Sequence, residues 1–419
     1  QWKLPAGVVS NLAKSTISYT VDTVAQGAGL YTFLADDCFS IANQLTLVTS
    51  TGIPIADVQF ANRYSKCVDK YYTRHEDFAS RGMVDLSYPC NSAVTANPIP
   101  QIPSAVLTSN CFGLPVGAPI NNGIMPYREP QYYFVNPTAN TTSQICKYIK
   151  LGHAGRNTLF EQDKDLYFGD SMYLNLQTAP VATMGFSSTS NTAVAGALAL
   201  TGAVTVSNIL LNLAVEDNAV LAESVKAKFN SPEGITLRTD FLLNLKNAIS
   251  AVNANVMVQV PQQSNTHLKR IINCFYNATE STNTMYDAQN LNGNKVLNFQ
   301  TTMDSQPLQY IRLSSAFSVA GAVAQTDYRD NERFIKGSVI QSVPTYSVNF
   351  AHIDDFSGDD SIMNNDIEAN KEYGLDLNVS RNYLLSLNCP NAVGTPLSQY
   401  SFCVLSRTLH MSKNGIMFI

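Results

Sequence analysis

Charge is the first thing this chain has little of. Only 14% of its 419 residues are Asp, Glu, Lys or Arg, well below the roughly 25% usual for soluble domains. There is a single Trp against 20 Tyr and 19 Phe. No run of five basic residues occurs and the net charge is −5. Affinity for nucleic acid comes largely from Lys and Arg neutralising phosphates, so a genome-coating surface is not expected. The eight cysteines (38, 67, 90, 111, 146, 274, 389, 403) contain no Cys-x-x-Cys pair. The five histidines (75, 153, 267, 352, 410) do not stand at zinc spacings either. An even count allows four disulfides, but scattered cysteines in a large chain are more often buried thiols, and reduced thiols are the expectation. No secretory signal is visible, since Gln1-Trp2-Lys3-Leu4-Pro5 leads straight into polar sequence. The longest apolar stretch, Thr192 to Val206, is Ala- and Gly-rich and too short to span a membrane, so the chain is expected to be soluble.

The missing charge is replaced by Asn, Thr, Ser, Gln and Tyr, over a 45% hydrophobic content ample for buried cores. β-Branched and aromatic residues suit a pleated, half-buried surface. The sequence accordingly runs as short apolar or alternating segments separated by Asn, Gly, Pro and Ser. Strands are predicted at 17–24, 44–48, 131–135, 145–151, 166–168 and 172–176, with Gly169-Asp170 as a turn. After a Ser/Thr/Ala/Gly-rich stretch around 187–203, strands are predicted at 204–215, 235–245, 256–260, 267–276, 338–340, 346–353, 375–387 and 400–410. One helix is predicted over about 217–229, with Glu216 and Asp217 at its start and Lys226 and Lys228 at its end, as the helix dipole favours. Asn230-Ser231-Pro232 stops it.

Two long polar excursions, about 88–130 and about 277–307, interrupt the pattern; loops of that length in compact domains usually serve packing or function. The fold class expected is therefore all-β: two tandem antiparallel eight-stranded jelly rolls with long loops and a few short helices. The first would span 1–195 and the second 196–419, restarting with the strand at 204–215.

Candidate chemistry is sparse. A Gly-x-Ser-x-Gly elbow is missing. His75-Glu76-Asp77 is not followed by a second His one helical turn later, and reads as a solvated segment. Gly293-Asn294-Lys295 lacks the rest of a phosphate-binding loop and reads as a turn. The densest acidic group is Asp354, Asp355, Asp359 and Asp360. It could hold calcium or hydrolyse a glycoside, but its spacing matches no ligand pattern and a wet turn is expected. Asn140, Asn277 and Asn378 head formal glycosylation triplets, expected to be unmodified. Tyr71-Tyr72 and Tyr132-Tyr133-Phe134 could form a sugar platform, with packing the more ordinary role. No catalytic, cofactor or metal residue is assigned.

Four stretches carry a resemblance: Thr158 to Asp170 with the strand ending at Leu176, Val204 to Phe229, Leu268 to Val296, and Val348 to Phe356 with Gly374 to Leu377. In that order they resemble the double jelly-roll major capsid proteins of the adenovirus-hexon lineage, in particular those of polinton-like viruses and virophages. They cover about the last two-thirds of the chain. The resemblance implies a homotrimer of pseudo-hexagonal outline tiling an icosahedral virion shell, assembled inside the host cell. Its partners would be further copies of itself, neighbouring capsomers, minor capsid or penton proteins, and a host receptor reached through the outer loops. The family function needs no active-site residue. Apolar loop residues Ile102, Val106, Leu114, Val116 and Ile124 are candidates for the subunit interfaces, which in obligate assemblies bury about 2,000 Å² or more. The competing readings are a single-roll minor capsid or fibre module, a carbohydrate-binding β-sandwich adhesin, and a glycosidase. An exposed aromatic platform would favour the adhesin, and an essential acid pair the glycosidase.

Overall fold

The computed structural model describes residues 1–23, 31–35, 38–72, 133–135, 143–180, 185–188, 204–277, 296, 298–308, 313–314, 351–356, 374–389 and 396–418. Both long excursions fall mostly outside them, as does the strand predicted at 338–340.

The first part of the chain lays down β1 (Trp2–Leu4), β2 (Ser10–Thr23), β3 (Tyr31–Ala35), β4 (Ala42–Thr49) and β5 (Pro54–Gln59). Helix α1 (Ala61–Tyr72) follows, then β6 (Tyr133–Val135), β7 (Ser143–Lys150) and the single turn α2 (Leu151–Ala154). Next come β8 (Asp165–Leu166), β9 (Met172–Thr178), β10 (Gly185–Ser188) and β11 (Val204–Val215). These strands pair in the orders β1-β9-β4-β5, β10-β3-β6 and β11-β2-β7, all antiparallel. Alternation explains the first sheet: Leu45 and Leu47 of β4 and Met172 and Leu174 of β9 are buried, with more exposed residues between them.

Helix α3 (Ala219–Asn230) then leads to the second part. It holds β12 (Ile235–Ile249), β13 (Asn253–Val260), β14 (His267–Asn277), β15 (Asn298–Met303), β16 (Gln306–Pro307) and β17 (Leu313–Ser314). The last strands are β18 (Ala351–Asp355), β19 (Leu375–Asp376), β20 (Arg381–Asn388), β21 (Leu397–Ser412) and β22 (Gly415–Phe418). One sheet runs β12-β21-β14-β18 and the other β13-β20-β15-β16. Val256, Val258 and Val260 of β13, Leu385 and Leu387 of β20, and Phe299 of β15 are buried, and with the first sheet's inner side chains they form the core. Asn218 caps α3, its Oδ1 accepting from the amides of Val220 and Leu221.

Several expectations need correction. The strand at 204–215, expected to restart the chain in a second roll, pairs along its length with β2 of the first part. Nine residue pairs, with two shifts of register, outweigh sequence proximity to α3. The strand predicted at 375–387 is two strands in two sheets: β19 pairs β14 and β20 pairs β13 and β15. Asp376 breaks it, accepting from the amide and side chain of Asn378 in an exposed turn. The excursion at 277–307 is not all loop, because β15 and β16 lie in it. Helix α1 was not expected at all.

Candidate assembly body and its inter-half seam

Helix α1 shows why it is hard to see in sequence. Ala61, Asn62, Arg63, Tyr64, Ser65, Cys67 and Val68 are all buried, so polar Asn62, Arg63 and Ser65 lie inward with the apolar residues. The helix packs on β4, β5 and α2 of the first part, while Arg63, Tyr64 and Cys67 reach β14 and β21 of the second. Strands β14 and β21 are covered on both faces, as their nearly unbroken burial shows. One face of each looks into the second core and the other looks at α1 and the segment 154–162.

The seam is aromatic and polar together. Tyr64 packs on Phe402 at 4.8 Å between ring centroids, and Phe60 meets Tyr400 edge-on at 5.1 Å. Arg63 lies 4.6 Å over the ring of Tyr276, whose hydroxyl donates to the Arg63 carbonyl. The Arg270 guanidinium donates to Asn157 Oδ1 at 3.3 Å, and Asn157 Nδ2 donates to the Tyr64 hydroxyl at 2.6 Å. Tyr64 in turn donates to the carbonyl of Arg156. Gln162 donates to the Arg238 carbonyl at 2.6 Å, and Asn244 to the Gln59 carbonyl at 3.3 Å. Asn157 holds a positive φ of 57°, which Asn tolerates and which turns its amide toward both halves. Beside the seam, Lys269 pairs with Asp240 at 2.9 Å while only 1% exposed. Burial pulls its pKa below the ordinary lysine value even though Asp240 pulls the other way. A hydrophobic patch alone could let two domains slide; directional bonds at these positions fix one relative orientation.

The acidic cluster divides. Asp359 and Asp360 lie outside the described residues. Asp355 is half-buried at the end of β18, opposite Arg270 in the ladder. Asp354 is a correction to the wet turn expected: it is buried on β18 and takes hydrogen bonds from the Tyr383 hydroxyl at 2.7 Å and from His352 Nε2 at 3.0 Å. Tyr383 accepts from Asn273, whose Oδ1 accepts from Ser401 and Gln399. Burial by itself would raise the Asp354 pKa, but the His352 charge and the bonds from His352, Tyr383 and Thr301 outweigh it and hold the carboxyl below 3.8. Burial, then the Asp354 charge, pushes the Tyr383 hydroxyl well above 10. This acid, imidazole and phenol resemble catalytic parts, yet all three are sealed between the two sheets of the second part. Their arrangement ties β18, β20, β14 and β21 together.

Among the described residues no three His, Cys, Asp or Glu side chains gather to hold a metal, and no helix is long and apolar enough to cross a membrane. His75, Glu76, Asp77, Gly293, Asn294, Lys295, Asn140 and Tyr132 lie outside the described residues, as do Ile102, Val106, Leu114, Val116 and Ile124. Asn277 ends β14, Tyr71 and Tyr72 end α1, and Tyr133 and Phe134 stand on β6. Apolar side chains that do face outward include Leu210 and Val215 on β11 and Val220 and Leu221 on α3, with Val220 78% exposed.

No family model matches the chain, and no curated protein matches it. Solved structures do. A chain of the Sputnik virophage, determined by cryo-EM, superposes with a TM-score of 0.56 at 15% identity, over 100% of this chain and 84% of that one. A chain of the PBCV-1 virus capsid gives 0.52 at 11% identity, over 99% and 90%. The fold is the double jelly roll of viral capsid proteins. At such low identity what is shared is the path of the backbone, which strand pairing and burial sustain with few common side chains.

Proposed function

We propose that this chain is a structural major capsid protein, which trimerises into a pseudo-hexagonal capsomer and tiles an icosahedral shell, and that it is not an enzyme. The observation that carries the reading is the full-length likeness to virion chains together with the welded seam. Two similar sandwiches held in one orientation make a rigid double wedge, and three such wedges close a six-sided ring. A shell subunit needs edges, flat faces and a fixed shape, and needs no reacting group. We place the division of the two rolls at α3, rather than at 195/196, because β11 pairs with β2. The exposed apolar side chains of β11 and α3 would meet neighbouring copies. Minor capsid proteins would join at the shell's special positions, and the long outer loops would meet a host receptor.

The test is solution mass by light scattering with negative-stain imaging. The reading expects about 137 kDa, three copies of the 45.7 kDa chain, seen as compact hexagonal particles. A monomer at every concentration would overturn it and turn attention to sugar binding.

A further inference from the structure

Cys67 and Cys274 stand 207 residues apart in sequence and face each other across the seam, their sulfurs 3.0 Å apart. Cys67 is on α1 and Cys274 on β14, and both are fully buried. The elements that carry them are anchored close by: Tyr276 binds Arg63 through its hydroxyl and its ring, and Tyr64 packs on Phe402. The two thiols therefore cannot easily turn away from one another. Closing a bond between them asks the sulfurs to approach by about 1 Å.

We infer that Cys67 and Cys274 are a covalent cross-link site, left as thiols during assembly in a reducing cell and joined as a disulfide once the particle meets an oxidising medium. The timing rests on the virion reading; the cross-link itself does not. The oxidant is a hydroperoxide, with hydrogen peroxide as the simplest case. One thiol, as thiolate, attacks a peroxide oxygen; the O–O bond breaks, hydroxide leaves, and a sulfenic acid forms. The second sulfur displaces that hydroxyl, forming the S–S bond. Both thiol protons end in the two waters released, and the peroxide gains the two electrons that the sulfurs lose. Because the site is sealed, oxidation proceeds through transient opening of the seam and is slow. The bond closes a loop of 207 residues and adds a second covalent link between two halves that the backbone already connects, the case in which a cross-link most restricts the unfolded chain.

The experiment uses the purified full chain, reduced, then incubated with hydrogen peroxide over a time course. The protein is unfolded, alkylated, digested and mapped by mass spectrometry, and Tm is measured in parallel. The expected result is a Cys67–Cys274 linked peptide growing with time, with a Tm rise on the order of 5 °C that dithiothreitol reverses. Cys67→Ser and Cys274→Ser should each lose the linked peptide and the rise. Both cysteines alkylated in full after long peroxide exposure would overturn the inference. So would a Tm rise that survives in Cys274→Ser. A cross-linked chain that stays monomeric would keep this inference and sink the capsid reading, whereas an unlinked trimer would do the reverse.

Discussion

The hydroxyl of Tyr276 donates to the main-chain carbonyl of Arg63 at 3.1 Å, while the Arg63 guanidinium lies 4.6 Å over the same ring. One residue on each side of the seam thus holds the other twice, through polar and π contacts. Tyr276→Phe should cost about 1–2 kcal/mol, the loss of a buried hydrogen bond with its acceptor left behind. Tyr276→Ala should cost about 3–5 kcal/mol through the added cavity. Denaturant unfolding measures both, and equal losses in the two variants would mean that the ring contributes nothing.

The Lys269–Asp240 pair makes a second, separable prediction. Asp240→Ala leaves an ammonium only 1% exposed without the carboxylate beside it, and should destabilise by about 3 kcal/mol. Adding Lys269→Met to that variant should recover much of the loss, because a buried charge then no longer goes unpaired. A double variant no better than the single would show that the lysine's other contacts dominate.

Asp354 predicts an acid limb. Its folded pKa is depressed below the unfolded value near 3.8. A carboxyl of that kind contributes stability that is fully present above the unfolded value and is lost as pH falls through the folded one. Stability of the native chain should therefore fall as pH drops below about 4. Asp354→Asn should flatten that limb and lower stability at neutral pH by about 2–4 kcal/mol. Tm measured from pH 7 to pH 2.5 in both proteins decides it.

Gly374 has φ +71°, and a Cβ there would lie 2.3 Å from the Leu268 carbonyl oxygen. Backbone, not a flexible side chain, is in the way. Gly374→Ala should cost about 2 kcal/mol or more and loosen the β14–β19 pairing, visible as faster amide exchange at Leu268 and Leu375.

Val220 on α3 and Leu210 on the edge strand β11 are 78% and 58% exposed. Val220→Glu and Leu210→Glu should leave the subunit's unfolding within about 0.5 kcal/mol of the native value. The same changes should weaken self-association at least tenfold, read by sedimentation. Unaltered mass at every dilution would move the interface elsewhere.

Much of this fold could be read along the chain. β4, β9, β12, β14 and β21 announce themselves as apolar or alternating runs, and α3 by the acids at its start, the lysines at its end and its closing Pro232. The Gly169 turn was legible too; the structure adds that a Cβ there would strike Phe229 of α3 at 2.5 Å. What escaped the reading shares one property: its meaning depends on a distant partner. Helix α1 went unread because Arg63 finds its partner in Tyr276, 213 positions away. Asp354 looks like a loop acid because Tyr383, 29 positions on, cannot be seen beside it in one dimension, although His352 stands only two positions before it. The strand at 204–215 looked like a beginning because nothing local tells it that β2 holds its complementary edge.

The sequence by itself determined that the chain is all-β, that it makes two sandwich-like halves with long polar excursions, and that it carries no recognisable catalytic motif. Those properties are local or compositional: alternation, turn residues and charge content are written in consecutive residues. Only the tertiary structure decided that β11 pairs with β2, that α1 meets two doubly covered strands, and that Cys67 meets Cys274. Each of these is a pairing between surfaces far apart in the chain, chosen by total burial and satisfied hydrogen bonds rather than by any neighbouring residue.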